Sequence, residues 1–290
     1  MHPIVSTLPA GLAILGCLMA VPSQTHAAES YDNCAGFIDT APAVIATQGT
    51  WCLRQNLSTA MTSGNAIEIT TNNVTIDCNH FKIGGLAAGS GTMAVGILIN
   101  GRFNTTVRHC NIRGFYAGIS ADNGGGHLVE RNTSDNNTVI GIAVTFSPGS
   151  TIRGNLIRDT GGSTEVETVA YGIYSSNGVD VIDNTVNGVA AIGANADAYG
   201  IIAYNNGKGS TTGNRVRGLA SMGTGTAFGI FNFAATRTVV RDNVVQGSGG
   251  VGSIGVHCAS NHATARDNVI TGFSTGVENC WSSGNTVNPN

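Results

Sequence analysis

The chain has 290 residues, of which 41 are Gly and only 11% are Asp, Glu, Lys or Arg, where an ordinary soluble domain carries about 7% Gly and roughly a quarter charged residues. Fourteen Lys and Arg against 17 acids leave a formal net charge of −3, so the basic field on which nucleic-acid binding depends is missing. Hydrophobic residues reach 41% with 6% aromatic; Ile, Val and Ala outnumber Leu, which favours β-structure over a helical bundle.

The first feature in chain order is an apolar run from Leu8 to Val21, too short to span a bilayer, followed by Pro22 and Thr25-His26-Ala27-Ala28. It reads as a signal peptide over residues 1–27, with Thr25 and Ala27 as the small residues a signal peptidase requires. Ile14-Leu15-Gly16-Cys17 leaves open a lipoprotein box with Cys17 acylated. No later run stays apolar for about 18 residues, so no transmembrane span is expected in the mature chain. Its expected destination is the medium, the periplasm or the cell surface. Six of the seven Cys remain after cleavage, and disulfides are the expected state in an oxidising compartment. No Cys-x-x-Cys spacing marks a zinc site, and no metal is expected through these residues.

Residues 28–65 read as an N-terminal cap segment and 66–290 as a repeat domain. A Gly followed by Ile or Val recurs at Gly96, Gly118, Gly141, Gly172, Gly200, Gly229, Gly255 and Gly276, by subtraction 21 to 31 residues apart. Between these glycines lies an anchor, Asn-x-(Ile/Val)-x-Gly or a near copy, at Asn155, Asn184, Asn214, Asn243 and Asn268, with Asn132 and Asn285 as degraded copies. The step from Gly to anchor is nearly constant, whereas the step from anchor back to Gly ranges from 8 to 18 residues. One side of the repeat is therefore rigid and the other takes insertions. Each unit holds short β-branched runs and no room for a helix. Stacked as coils about 4.8 Å apart, such units pair in parallel and bury their Ile and Val columns together. The predicted fold is all-β: a single-stranded parallel β-helix of about eight coils. The anchor Asn is expected to adopt a left-handed turn conformation and to hydrogen-bond to its stacked copies.

From Ala66 onward the chain resembles the right-handed parallel β-helix repeat proteins, the architecture of pectate lyases, polygalacturonases and alginate epimerases. Upstream, Cys34, Trp51-Cys52-Leu53, Asn56-Leu57 and Asn73-Val74-Thr75-Ile76-Asp77-Cys78-Asn79 resemble the entry module of secreted bacterial members. Cys78 and Cys110 occupy anchor positions of consecutive coils, Cys258 and Cys280 nearly align in the last two, and Cys34 and Cys52 are left for the cap. Three disulfides are expected on these pairings; six buried free thiols are the alternative.

With the Ile or Val after each Gly taken as inward, the outward columns hold Tyr174, Phe231, His257 and Glu278, and then Tyr204 and Phe233. Tyr174, Tyr204, Phe231 and Phe233 form the expected glycan-binding strip, walled by the insertions 161–170, 189–198 and 219–227. Burial of the same rings under those loops as ordinary packing is the alternative. Glu165, Glu167 and Asp197 in the insertions, with His257, are the candidates for a general acid and base. Departures from the enzymes are clear: Gly125-Gly126-His127 reverses the order a polygalacturonase-like site would need, and the Asp-Pro-His-Asp run of the epimerases is absent. A cofactor is not expected, apart from a calcium ion between Asp242 and Asp267. The partner expected is a polysaccharide or cell-surface glycan. Two readings stay open: an exported protein that binds or presents a surface to polysaccharide, or a polysaccharide lyase or glycoside hydrolase with an atypical active site.

Overall fold

The computed structural model of the protein describes residues 31–164, 169–204, 208–233, 238–259 and 263–289. The signal-peptide segment with Cys17, and the candidates Glu165 and Glu167, lie outside the described residues. Three long sheets, of eleven, ten and ten strands, run through the unit Tyr31–Asn290. Every pairing in them is parallel, and each strand pairs with the strand one coil before and one coil after. This is the parallel β-helix. Among the described residues the helical segment is a single 3-10 turn, Leu86–Ala88.

The repeated glycines lie in one ten-stranded sheet, called here the glycine sheet, which includes Val95–Asn100, Ala117–Asp122, Ile140–Thr145, Ala170–Ser176, Ala198–Tyr204, Ala227–Asn232, Ile254–Cys258 and Thr275–Glu278. Two strands precede these, Ala43–Ile45 and Asn65–Ile69. Within 28–65, Gly49–Cys52 also joins the second sheet and Leu57–Ser58 the third. Each repeated glycine sits where the chain turns in from the third sheet. A Cβ on Gly172 would stand 2.5 Å from Val186 Cγ1 and 2.5 Å from the carbonyl oxygen of Gly200. On Gly229 it would stand 2.2 Å from Val245 Cγ1 and 2.4 Å from the oxygen of Gly255. The missing side chain is thus what lets the third sheet's inward Val column pack directly under the glycine sheet. Inward Ile and Val such as Ile119, Ile142, Ile173, Ile201 and Ile230 are fully buried and form one continuous core.

The anchors form a buried ladder at the turn between the second and third sheets. Asn184 Nδ2 donates to Asn214 Oδ1 at 3.1 Å and Asn214 Nδ2 to Asn243 Oδ1 at 3.0 Å, and the same bond links the anchors from Asn132 to Asn285. Each amide oxygen from Asn155 to Asn285 also accepts the backbone N–H of the anchor before it, as from Asn184 to Asn214 at 2.9 Å. The expected left-handed conformation belongs to the residue one earlier: His109, Arg131, Asp183, Asp242 and Asp267 have φ of 53 to 58°, and Gly154, Gly213 and Gly284 complete the column. Short Asp and side-chain-free Gly tolerate that corner best, which explains why they fill it from Gly154 onward.

Three disulfides tie coils together: Cys34 to Cys52, Cys78 to Cys110 and Cys258 to Cys280, with Cα separations of 5.8, 4.7 and 5.1 Å. The Cys110 N–H donates to Asn132 Oδ1, so Cys78 and Cys110 occupy the rungs that continue the Asn ladder toward the N-terminus. On the surface Arg153 pairs with Glu130 at 2.7 Å, and Arg113 and Arg158 both reach Asp135, at 3.4 and 3.6 Å. Arg108 turns the other way, to Asp77 at 2.7 Å. Burial pushes the Asp77 carboxyl up, but the Asn79 N–H, Arg108 and His109 outweigh it and hold the group below the usual carboxylate range.

Candidate functional site

The outer face of the glycine sheet gathers aromatic rings on three consecutive coils. Because the chain bends at each glycine, the residue just before it and the residue two after it both face outward. Tyr171, Tyr199 and Phe228 precede Gly172, Gly200 and Gly229, and pair in register across adjacent coils. Their rings stack along the helix axis at 5.4 and 5.0 Å with interplanar angles of 17° and 6°. Tyr174 stacks on Tyr171 at 5.4 Å, and Phe231 stands edge-on to both Tyr199 and Phe228. Tyr204 and Phe233 stack at 4.6 Å and are 38% and 45% exposed, the most open rings of the strip.

The four residues expected to form the strip therefore lie on one continuous surface, joined by a row absent from the outward columns read in the sequence. Tyr171, Tyr199 and Phe228 escape a strict two-residue alternation because the bend at each glycine shifts the phase. Their signal was the recurring (Tyr/Phe)-Gly-Ile. The rings are half-buried and lie against one another: neighbouring rings cover ring faces, and the row as a whole remains at the surface.

The Tyr171 phenol is pushed up to about 12, first by burial and then by the neighbouring phenols of Tyr174, Tyr204 and Tyr116 and the Asp197 carboxylate. Tyr174 and Tyr199 are raised as well, again by burial first. Five of the six tyrosines, all but Tyr31, thus meet in one patch. Their hydroxyls can each donate and accept a hydrogen bond.

The insertions wall the edge beside Tyr171 and Tyr199. Asn195–Ala196 and Met222–Gly223 pair as a small antiparallel sheet. Asp197 stitches that wall to the strip: its Oδ1 accepts the Thr226 N–H at 2.7 Å and its Oδ2 accepts the Tyr199 hydroxyl at 3.1 Å. With both oxygens engaged, Asp197 acts as a brace. It lies two coils from His257, roughly 10 Å along the axis at about 4.8 Å per coil, so the fold does not bring these two candidates into one acid–base pair.

His257 closes the C-terminal end of the strip. Its ring stacks on Phe231 at 4.7 Å, and its Nδ1 shares a 2.6 Å hydrogen bond with Glu278 Oε2 from the next coil. A carboxylate on Nδ1 favours the tautomer with the proton there and leaves Nε2 as the basic nitrogen. Glu278 stands next to His257 in the same outward column, so the pairing followed from the repeat register. His127 has no such position: it is 2% exposed, its Nδ1 accepts the Thr105 N–H, and burial lowers its pKa to about 4.

Among the described residues no group of three or more His, Cys, Asp or Glu is placed to hold a metal ion. Asp242 is paired with Arg241 at 3.3 Å, and Asp267 leans toward Gly284, away from Asp242. The two carboxylates considered for calcium are corner residues of the turn.

No curated protein matches the chain. In fold it is similar to the Dettilon tailspike protein, at 16% identity and a TM-score of 0.52, and to a tailspike double mutant of E. coli bacteriophage HK620, at 11% and 0.51. The alignments cover 87% and 88% of this chain and 60% of each tailspike, so the chain spans less than two thirds of the length of these tailspikes. The A-module of a mannuronan C-5 epimerase from Azotobacter vinelandii is a more distant likeness, with 12% identity, a TM-score of 0.46 and coverage of 89% and 91%. Three parallel sheets, the glycine and asparagine columns and a match of residues 95–290 to the family described as "Right handed beta helix region" lead to one conclusion: this chain belongs to the right-handed parallel β-helix family.

Proposed function

We propose that the protein is exported and binds polysaccharide along the outer face of the glycine sheet, on the strip from Tyr171 to His257. The observation that carries this reading is the gathering of seven Tyr and Phe rings, four of them tyrosines, on the coils of Gly172, Gly200 and Gly229, beside the paired insertion strands Asn195–Ala196 and Met222–Gly223. Half-exposed rings supply apolar contact for the C–H faces of sugars, and phenols and carboxylates supply partners for hydroxyl groups. Export fits the three disulfides, which persist in oxidising compartments. Among the described residues no helix is long and apolar enough to cross a membrane.

His257 with Glu278 favours a second reading, a lyase or hydrolase with an atypical site, in which His257 Nε2 is the base and Glu278 orients it. One experiment separates the two readings. The mature protein is incubated with a panel of soluble polysaccharides while retention, new reducing ends and unsaturated-product absorbance are measured together. Retention without product, weakened at least tenfold by Tyr204→Ala with Phe233→Ala, is the outcome expected for a binding protein. Product that disappears in His257→Ala would establish the enzyme. Retention unchanged by the double substitution would remove the strip from the account.

A further inference from the structure

The glycine sheet carries an unusual balance of charge. Among its described strands there is no Lys or Arg, and its acids are Glu68, Asp122 and Glu278. Asp122 lies close enough to the strip to influence the Tyr174 phenol, Asp197 bonds to Tyr199, and Glu278 holds His257 at the end. The strip is thus bordered by three carboxylates. Among the described residues the cation nearest in sequence to its exposed rings, Lys208, sits over Gly178 in the turn that leads away to the second sheet; Arg237, four residues after Phe233, lies outside the described residues. Cations collect on the other two faces. Arg108, Arg153, Arg241 and Arg266 lie on the second sheet. On the third, Arg215 and Arg217 line a groove of about 360 Å³, and Lys82, Arg113 and Arg158 line another of about 260 Å³.

A polyuronate laid along the strip would bring its carboxylates past these fixed carboxylates, with no guanidinium on the described strands of the sheet to pair with. Like charges repel, most strongly beside half-buried rings where water screens least. The phenols offer hydrogen bonds suited to uncharged hydroxyls. We infer that the strip selects an uncharged, hydroxyl-rich glycan and rejects uronate polymers. The inference rests on the reading of the strip as the glycan face, and its test separates the two.

The probes are uncharged galactomannan and β-glucan, together with alginate and polygalacturonate, each before and after chemical reduction of the carboxyl groups to hydroxymethyl. Dissociation constants are measured for the mature protein at 0.05 M and 1 M salt. The expected result is binding to at least one uncharged polymer, lost in Tyr204→Ala with Phe233→Ala, and binding at least tenfold weaker for a charged parent than for its reduced form. That ratio should shrink at 1 M salt, where the screening length falls to about 3 Å, and also in Asp122→Asn. Equal or tighter binding of the charged parents, with the same dependence on Tyr204 and Phe233, would overturn the charge selection and leave the strip standing. A ratio unmoved by salt would equally overturn it. Binding to none of the polymers would overturn the strip reading itself.

Discussion

At the scale of single residues, the anchors carry more than their size suggests. Asn214 donates to Asn243 Oδ1, Val181 O and Thr212 O, and accepts both the backbone and the side-chain N–H of Asn184. It is fully buried, so replacing it with Ala leaves several polar groups without partners, each costing roughly 1–3 kcal/mol. Asn214→Ala should lower stability by about 3 kcal/mol or more in denaturant unfolding, whereas a surface Asn such as Asn187 should tolerate the same change within about 0.5 kcal/mol. His127 makes a pH prediction. Burial lowers its pKa in the folded protein to about 4, below the ordinary histidine value of about 6.5, so the unfolded chain takes up the proton first. The neutral ring favours folding fully above about pH 6.5, and that contribution falls as pH drops toward 4. His127→Gln should flatten the stability curve across this window, by on the order of 3 kcal/mol.

Much at this scale was readable because a solenoid repeats each environment. The Asn column announced a ladder, and two Cys standing in it announced a disulfide. The corner conformation was misassigned by one residue, since φ of either the anchor or its neighbour satisfies the same spacing. His127 was noted for an enzyme motif in reversed order, and no local pattern marks it as a core residue bonded to Thr105.

At the scale of elements, the glycine column sets the separation between sheets. Gly229→Ala would force its Cβ into Val245 Cγ1 and the oxygen of Gly255, and overpacking of this kind costs about 1–3 kcal/mol. Thermal unfolding should show a clear fall in Tm, and Val245→Ala in the same chain should recover part of it by vacating the space. The Cys78–Cys110 bridge closes a segment of 32 residues, for which chain entropy predicts about 3–4 kcal/mol. Replacing both with Ala should lower stability by roughly that amount, measured against the intact protein without reductant. The strands themselves were legible from alternating Val and Ile, but the bend at each glycine was not. A phase shift in a strand is a backbone event set by what packs beneath, here Val186, Val216 and Val245. For that reason Tyr174, Phe231 and His257 were visible as an outward column while Tyr171, Tyr199 and Phe228 were missed.

For the molecule as a whole, the three faces divide the chemistry. Among the described strands, Arg occurs only on the second and third sheets, often paired with acids, while the glycine sheet carries rings, phenols and carboxylates. Such a division follows from stacking: a residue type repeated at one position of the coil becomes a stripe along the axis. The stripe of rings covers only the coils whose insertions build a wall, and the wall is held to it by Asp197. The glycine and asparagine repeat revealed the solenoid, and the insertion lengths marked the coils that carry the rings. The Thr226 partner of Asp197 lies in an insertion, whose variable length hides its register.

The most direct test of the glycan face is a crystal structure of the mature protein soaked with an oligosaccharide cut from the polymer it retains best. The account predicts sugar density over the glycine sheet, in contact with Tyr174, Tyr204 and Phe233 and within hydrogen-bonding reach of the tyrosine cluster. Density confined to the Arg215 and Arg217 groove of the third sheet, with the ring strip bare, would contradict it.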